Sequence, residues 1–228
     1  MRILPSILMA FVATFAQQSV KRPVTKPVPR PKLDLIQLGT FRQGEAEFKS
    51  GGGWIGLVPS RDGFAWANLR VVAEKVNEPI GDVKCVNKIA LEEPTEAEPL
   101  FLLRGLPQLA TKPVHTCFDR SENGSFLEQN PILLTCDAKA YSVGVVNSTL
   151  LQFKQGGKTQ TLFHWPGGLS DQRAELVWAG DLDGDGKLDL VLDHSSYSNA
   201  SDLTLYLSTW ALPGQLVGKA AHFASVGC

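Results

Sequence analysis

ELVWAGDLDGDGKLDLVL, residues 175–192, places an acidic turn between two apolar runs of strand length. Residues 175–179 and 188–192 are largely apolar, and the turn between them carries aspartates at 181, 183 and 185 with glycines at 184 and 186; a fourth aspartate stands at 189, near the start of the second run. Short apolar runs on both sides of a Gly-rich turn are typical of two strands rather than of two helices. The segment therefore predicts an antiparallel hairpin with a charged tip.

The side chains of this turn have the chemistry of a site for a hard cation. Calcium takes six to eight oxygen ligands at about 2.3–2.6 Å, and flexible carboxylate-rich loops provide them. Alternate residues of a tight loop point inward, so Asp181, Asp183 and Asp185 converge, and Asp189 closes the site from the returning strand. A sharp turn at the glycine at 186 brings the Lys187 carbonyl oxygen in as a fifth ligand. We predict that these five residues bind one Ca²⁺ ion.

A solvated acidic turn without a metal is the alternative, because Asp and Gly are common in turns. Four carboxylates within nine residues repel one another unless a cation lies among them, and Lys187 is the single positive side chain of the turn. Magnesium requires near-ideal octahedral geometry and retains several waters, so calcium is favoured. With four carboxylates and one carbonyl assigned, few coordination positions remain, and we expect the ion to be structural.

The turn differs from an EF-hand loop, since Leu192 stands where that loop has a bidentate Glu. Residues 180–192 resemble the calcium loop of FG-GAP/VCBS-type repeats, in which a DxDxDG run is followed by Asp and an apolar strand. The resemblance implies a β-hairpin calcium site of the kind found between propeller strands in integrin-like proteins. The chain carries one copy, and in this it is similar to small secreted bacterial proteins that end in such a repeat.

The remainder of the chain is interrupted by Gly and Pro at short intervals, and the runs between them have strand length. Residues 150–154 and 158–163 flank Gly156 and Gly157 and predict a hairpin, because glycine supplies the positive φ of a tight turn. Residues 64–76 fit a strand or a helix, and we favour a strand. Further strands are predicted at 53–58, 99–105, 114–118, 131–136, 141–146 and 203–208. The chain is predicted to be mainly β with antiparallel modules, the C-terminal one a single propeller-blade-like sheet with the calcium hairpin.

The N-terminus has the parts of a secretory signal peptide. Arg2 precedes an apolar run over residues 3–16, and small residues stand at 14 and 16. This run is shorter than the roughly 20 residues that span a bilayer, and no later segment approaches that length. We predict a signal peptide at 1–16, a basic Pro-rich linker at 17–34, an N-terminal β module at 35–136 and a C-terminal FG-GAP/VCBS-like calcium-binding module at 137–228. The protein is predicted to be secreted or periplasmic, with no transmembrane segment.

Charge is divided unevenly along the chain. Residues 33–228 carry 16 Lys and Arg against 23 Asp and Glu, a net charge of −7, whereas the tail at 21–32 carries +5. Its prolines favour an extended chain, so we expect a passive spacer; a weak contact with an anionic surface is the alternative. The acidic body disfavours binding to nucleic acid.

Four cysteines in an exported chain suggest two disulfides, and three pairings are open. We favour Cys85–Cys117 and Cys136–Cys228, because each bridge then stays within one module. None of the four stands in a CxxC motif, so zinc is disfavoured.

No catalytic motif occurs in the sequence, and we predict neither a catalytic residue nor an organic cofactor. His194 precedes Ser195 and Ser196, but neighbouring residues of a strand face opposite ways, so we expect a surface histidine. Trp178 is expected in the core, and Trp165, within a Pro-Gly-Gly loop, is expected to be exposed.

These features together indicate an exported, non-enzymatic calcium-binding protein of the cell envelope or exterior that presents a surface to a protein or glycan partner. A secreted hydrolase with a structural calcium is the alternative, because 23 acidic residues leave a glycosidase-type carboxylate pair open.

Overall fold

The computed structural model describes residues 30–80, 83–106, 109, 114–119, 124–126, 130–169, 174–195, 197, 200–226 and 228. The predicted signal peptide and residues 17–29 of the predicted linker lie outside these residues. Residues 31–228 form one compact unit, and residues at the end of the predicted linker already belong to it. The predicted boundary between two modules at residue 136 stays a prediction.

Short strands joined by turns make up nearly all of the regular structure. The strands are β1 Asp34–Ile36, β2 Gly39–Arg42, β3 Gly51–Ser60, β4 Gly63–Ile80, β5 Val83–Leu91, β6 Leu102–Arg104, β7 His115–Asp119, β8 Ile132–Cys136, β9 Lys139–Val146, β10 Leu150–Gln155, β11 Lys158–His164, β12 Glu175–Asp181, β13 Asp189–Asp193, β14 Ser201–Leu207 and β15 Gly218–Ser225, with a 3₁₀ turn at Ser208–Trp210. The described part of the chain contains no α-helix, and the pairings between its strands are antiparallel. The predicted class, mainly β with antiparallel sheets, is confirmed.

Within the described ranges, no helix is long and apolar enough to cross a membrane.

The strands form three sheets. Their orders are β1-β6-β3-β4-β5-β2, then β11-β10-β9-β8, and finally β15-β14-β13-β12-β7. The hairpins predicted around residues 156–157 and around the acidic turn are both present, as β10–β11 and β12–β13. The strands after residue 137 are divided between the second and third sheets, whereas the tight turns alone suggested one sheet. The division arises because β12 pairs with β7, a strand from much earlier in the chain.

The five-stranded sheet is covered on both faces. Val177, Val191 and Leu203 belong to one apolar core, while Leu176 and Leu190 belong to a second core on the other side. All five residues of β13 are buried, and so are the five central residues of β12. A strand buried on both faces has a nearly continuous apolar sequence, and in residues 188–192 a single polar residue, the buried Asp189, interrupts it. Trp178 is fully buried, as predicted.

The predicted disulfide pairing is wrong. The bridges are Cys85–Cys228 and Cys117–Cys136, with Cα–Cα distances of 5.9 and 5.5 Å. Cys117 and Cys136 meet because they lie on β7 and β8, the strands at the edges of two sheets. The prediction assumed that each bridge stays within one module, and strand pairing does not follow that division.

The last residues of the chain lie beside the first sheet. The backbone N–H of Val226 donates to Oε1 of Glu45 at 2.8 Å, and Glu45 follows β2, which pairs with β5. This contact brings the chain end near Cys85 on β5. The bridge at Cys228 therefore joins the C-terminus to a strand of the first sheet.

Candidate metal centre

The acidic turn connects β12 to β13, and Gly180 pairs with Asp189 at its base. Gly184 and Gly186 have φ values of +74° and +76°, the left-handed region that favours glycine. No atom lies within 4 Å of the place where a side chain at Gly186 would begin, so backbone conformation rather than space requires glycine there. The sharp turn predicted at residue 186 is confirmed.

Asp181 organises the backbone of the turn. Its Oδ1 accepts hydrogen bonds from the N–H groups of Gly184 at 2.8 Å and Asp185 at 3.0 Å, and its Oδ2 accepts one from Gly186 at 2.9 Å. One carboxylate thus satisfies three successive donors. Such bonds to an ionised acceptor are stronger than neutral ones, so Asp181 fixes the curvature of the loop.

Three of the four predicted carboxylates meet in space. Asp181, Asp183 and Asp189 each offer an oxygen, and these oxygens all lie within 4.8 Å of one another. Oxygens at such separations are compatible with a shared cation of calcium size. A second set of potential ligands, His115 with the cysteines at 117 and 136, is excluded because its sulfurs form a disulfide.

Asp189 is the buried member of the group, with no solvent exposure. Its Oδ2 accepts a hydrogen bond from the Leu182 N–H at 2.9 Å, and its Oδ1 accepts one from the Ser208 N–H at 2.7 Å. Burial raises the pKa of Asp189 well above its ordinary value, and the negative charge of Asp183 raises it further, while the two N–H bonds act in the opposite direction. A cation among the three carboxylates would replace this repulsion with attraction.

Asp185 has different partners and is not a member of the group of three. Its Oδ1 accepts from the backbone N–H of Lys187 at 2.9 Å, and its Oδ2 accepts from the Lys187 ammonium at 3.1 Å. This hydrogen bond and the charge of Asp185 raise the pKa of Lys187. The Lys187 side chain is 64% exposed. The roles of Asp185 and of the Lys187 carbonyl oxygen as ligands stay predictions.

Sequence reasoning missed a second segment that supports the acidic turn. Ser208 Oγ donates to Oδ2 of Asp185 at 2.8 Å, and Thr209 Oγ1 donates to Oδ2 of Asp183 at 2.6 Å. Both residues lie in the 3₁₀ turn after β14, and the pairing of β14 with β13 brings them level with Asp189. The only sequence signal was a Ser-Thr pair after an apolar strand, which does not specify a partner.

The acidic turn also borders a cavity of about 350 Å³. Asp183, Asp185, Thr209 and Trp210 contribute to its wall, together with Leu109 and other apolar residues. Lys139, the first residue of β9, donates to the carbonyl oxygen of Gly186 at 3.2 Å. Lys139 on one side and the 3₁₀ turn on the other therefore hold the acidic turn in place. The side chains of Asp183 and Asp185 still border the cavity.

Two expectations about single residues were wrong. His194, expected on the surface, is 2% exposed, and Trp165, expected to be exposed, is 5% exposed. The indole N–H of Trp165 donates to the carbonyl oxygen of His194 at 3.0 Å, and the Phe163 ring stacks on the imidazole at a centroid distance of 4.3 Å. His194, directly after β13, is turned inward and covered by Phe163 near the end of β11. Trp165 itself therefore contributes almost nothing to the protein surface.

Comparisons of the chain with protein-family models, with curated proteins and with solved structures found no match.

Proposed function

We propose that the loop between β12 and β13 binds one Ca²⁺ ion and that the ion stabilises the fold. The observation that carries this proposal is the position of Asp189: a carboxylate without solvent exposure has two further carboxylate oxygens within 4.8 Å. Holding three negative charges close together, one of them fully buried, is costly unless a cation compensates them. A structural ion contributes folding free energy whenever it is bound.

The donor set supports calcium over other metals. Asp181, Asp183 and Asp189 supply oxygen alone, the ligand type of hard cations, and the group contains neither imidazole nor thiolate. We assign Asp185 and the carbonyl oxygen of Lys187 as the remaining protein ligands, in keeping with the resemblance to the FG-GAP/VCBS calcium loop. Under this assignment, binding moves Asp185 away from the Lys187 ammonium that it contacts at 3.1 Å.

The wider role is inferred from the cellular compartment that the disulfides indicate. The two disulfides are typical of an oxidising compartment, and they support export of the protein to the periplasm or the exterior. We propose a non-enzymatic calcium-binding protein of the cell envelope or exterior, whose calcium-stabilised sheet presents a surface to a protein or glycan partner.

Calorimetric titration of the purified protein, stripped of metal with EGTA and dialysed, tests the calcium proposal. We expect one Ca²⁺ per chain, with Mg²⁺ binding at least tenfold more weakly. The matched control is Asp62→Ala, which removes an exposed carboxylate from the β3–β4 turn and should leave calcium binding unchanged. Absence of calcium binding by stripped protein, or equal affinity for the two ions, would refute the proposal.

A further inference from the structure

The disulfide between Cys117 and Cys136 has a histidine beside it. A ring nitrogen of His115 and the two sulfurs all lie within 4.8 Å of one another. While the bond is intact, its sulfurs are not available to a metal, because the thiolate is the form that binds one. Reduction turns them into two thiols, and thiolate and imidazole are the ligands that zinc prefers in proteins. The reduced protein therefore has the donor set of a zinc centre at this place.

The distances among these atoms suit zinc. Tetrahedral zinc with Zn–S bonds of about 2.3 Å and Zn–N bonds of about 2.0 Å separates two sulfurs by about 3.8 Å and a sulfur from a nitrogen by about 3.6 Å. Both separations are compatible with a group whose ligand atoms already lie within 4.8 Å of one another. The Cα atoms of Cys117 and Cys136 are 5.5 Å apart, so rotation of the two side chains brings the opened sulfurs to a metal while the strands stay in place.

The local backbone brings the three side chains together. His115 and Cys117 belong to β7, and Cys136 is the last residue of β8. The pairing of β7 with β12 shifts register between Phe118 and Thr116, which leaves Cys117 as the additional residue of a β-bulge. Bulges re-aim a side chain and are frequent beside functional sites. Because the two cysteines come from different strands and stand 19 residues apart, no CxxC motif marks them in the sequence.

A carboxylate supports the histidine. Asp137 directly follows Cys136, and its Oδ1 lies 3.4 Å from Nδ1 of His115. A carboxylate partner is typical of metal-bound histidine, because it fixes the orientation of the ring and raises its basicity. The His115 and Asp137 side chains are 56% and 47% exposed, whereas Cys136 is buried. The cluster therefore opens to solvent on the histidine side, and a metal ion has a path to it.

The cluster differs from the other disulfide and from the acidic turn. Among the described residues, Cys85 and Cys228 belong to no group of potential metal ligands. The acidic turn offers oxygen alone, whereas two thiolates and an imidazole favour Zn²⁺ over Ca²⁺ and Mg²⁺.

We propose that reduction of the Cys117–Cys136 disulfide converts it into a Zn²⁺ site formed by the two thiolates and the His115 imidazole, with water as the fourth ligand. A dithiol reductant supplies two electrons and two protons to the S–S bond and becomes a disulfide itself, so that the bridge becomes two thiols. Zinc then replaces the proton of each thiol, and binding releases two protons. The site is independent of the calcium proposal, because none of its ligands belongs to the acidic turn.

The experiment is a zinc titration of the purified protein against a chromophoric chelator, in saturating calcium so that the acidic turn does not compete for zinc. Protein reduced with dithiothreitol and desalted under argon is compared with oxidised protein, and circular dichroism monitors the fold. We expect one Zn²⁺ per reduced chain and at least tenfold weaker binding to the oxidised chain. Equal zinc affinity of the two forms, or a reduced chain that zinc neither binds nor folds, would overturn the proposal.

Co²⁺ in place of Zn²⁺ identifies the ligands, because cobalt–thiolate bonds absorb in the near ultraviolet. The reduced wild type should show this absorption, and Cys117→Ser should lose most of it and bind zinc at least tenfold more weakly. Cys85→Ser is the matched control: in the reduced chain neither bridge exists, so it removes a thiol without breaking a bond and should bind zinc as the wild type does. Wild-type zinc affinity in Cys117→Ser would overturn the assignment.

The role of the imidazole is tested in the same way. His115→Ala should weaken zinc binding by the reduced chain at least tenfold, because one of three protein ligands is lost. His164→Ala makes the same change at an exposed position of β11 and should leave zinc binding unchanged. Equal zinc affinities of these two variants would overturn the assignment of His115 as a ligand.

Discussion

Replacing Asp183 by Ala separates the proposed contribution of calcium from the contributions of the protein alone. In the acidic turn, Asp183 accepts a hydrogen bond from Thr209 at 2.6 Å and places a negative charge near buried Asp189. Without calcium, the variant loses a hydrogen bond that contributes about 1 kcal/mol, and it gains relief from the repulsion with Asp189. These effects oppose each other, so the free energy of unfolding in EGTA should differ from the wild-type value by less than about 1 kcal/mol.

With calcium present, the two proteins should diverge. At a free calcium concentration of 100 times the wild-type dissociation constant, linkage stabilises the wild type by about 2.7 kcal/mol. If the lost ligand weakens binding tenfold, the variant gains about 1.4 kcal/mol at the same concentration, a difference of about 1.3 kcal/mol. For a unit of this size, that difference corresponds to a shift of about 3–5 °C in Tm.

Thermal unfolding in EGTA, in graded calcium and in magnesium measures these quantities. Thr209→Val is the matched control, because it removes the same hydrogen bond and leaves the carboxylate in place; it should keep the full stabilisation by calcium. Equal Tm values of Asp183→Ala and wild type in saturating calcium would refute the assignment of Asp183 as a ligand. A large loss of stability in EGTA would show that Asp183 acts without the ion.

The remaining predictions concern other parts of the fold. Asp181→Ala should lower stability by about 2 kcal/mol in EGTA as well as in calcium, because three N–H groups lose their acceptor; a wild-type Tm in EGTA would contradict this. Burial lowers the pKa of His194 to about 4, so the unfolded chain binds a proton that the folded protein does not between pH 6.5 and 4. The free energy of unfolding therefore has its full value above pH 6.5 and falls by about 3 kcal/mol as the pH is lowered to about 4. Unfolding curves at several pH values should show this dependence, and His194→Phe should reduce it. Cys228→Ser and Cys85→Ser should lower stability equally, by about 2–5 kcal/mol, because they break one bond; a disulfide map in which Cys228 pairs with Cys136 would exclude this.

Sequence reasoning succeeded where the signal is contained in one short stretch. The β12–β13 hairpin, the positive φ at Gly186 and the burial of Trp178 each depend on residues that are neighbours along the chain. A turn with glycine at the right place and apolar runs on both sides leaves few alternatives for the local backbone. The convergence of Asp181 with Asp183 follows from the same local geometry.

Features that depend on distant parts of the chain were not predictable in the same way. Ser208 and Thr209 reach the acidic turn only because β14 lies beside β13. Cys85 meets Cys228 only because the chain end returns to the first sheet. Neither arrangement leaves a periodic trace in the sequence, since strand order is set by packing of the sheets and not by the residues of one strand.

The burial of His194 shows that a polar residue in a segment with the composition of a surface loop can lie in the interior. The segment after β13 looks like a surface turn by composition, but Oδ1 of Asp193 accepts the N–H groups of Ser195 at 2.8 Å and Asp202 at 3.0 Å, and its Oδ2 accepts the Ser201 hydroxyl at 3.0 Å. A carboxylate that satisfies three donors replaces the water that such a turn would otherwise need, which lets the backbone enter the interior. The imidazole of His194 enters with it, and its Nε2 receives no equivalent partner among the described residues. The burial of an unpaired imidazole nitrogen is therefore a consequence of how Asp193 satisfies the backbone on both sides of this turn, which the composition of the segment does not reveal.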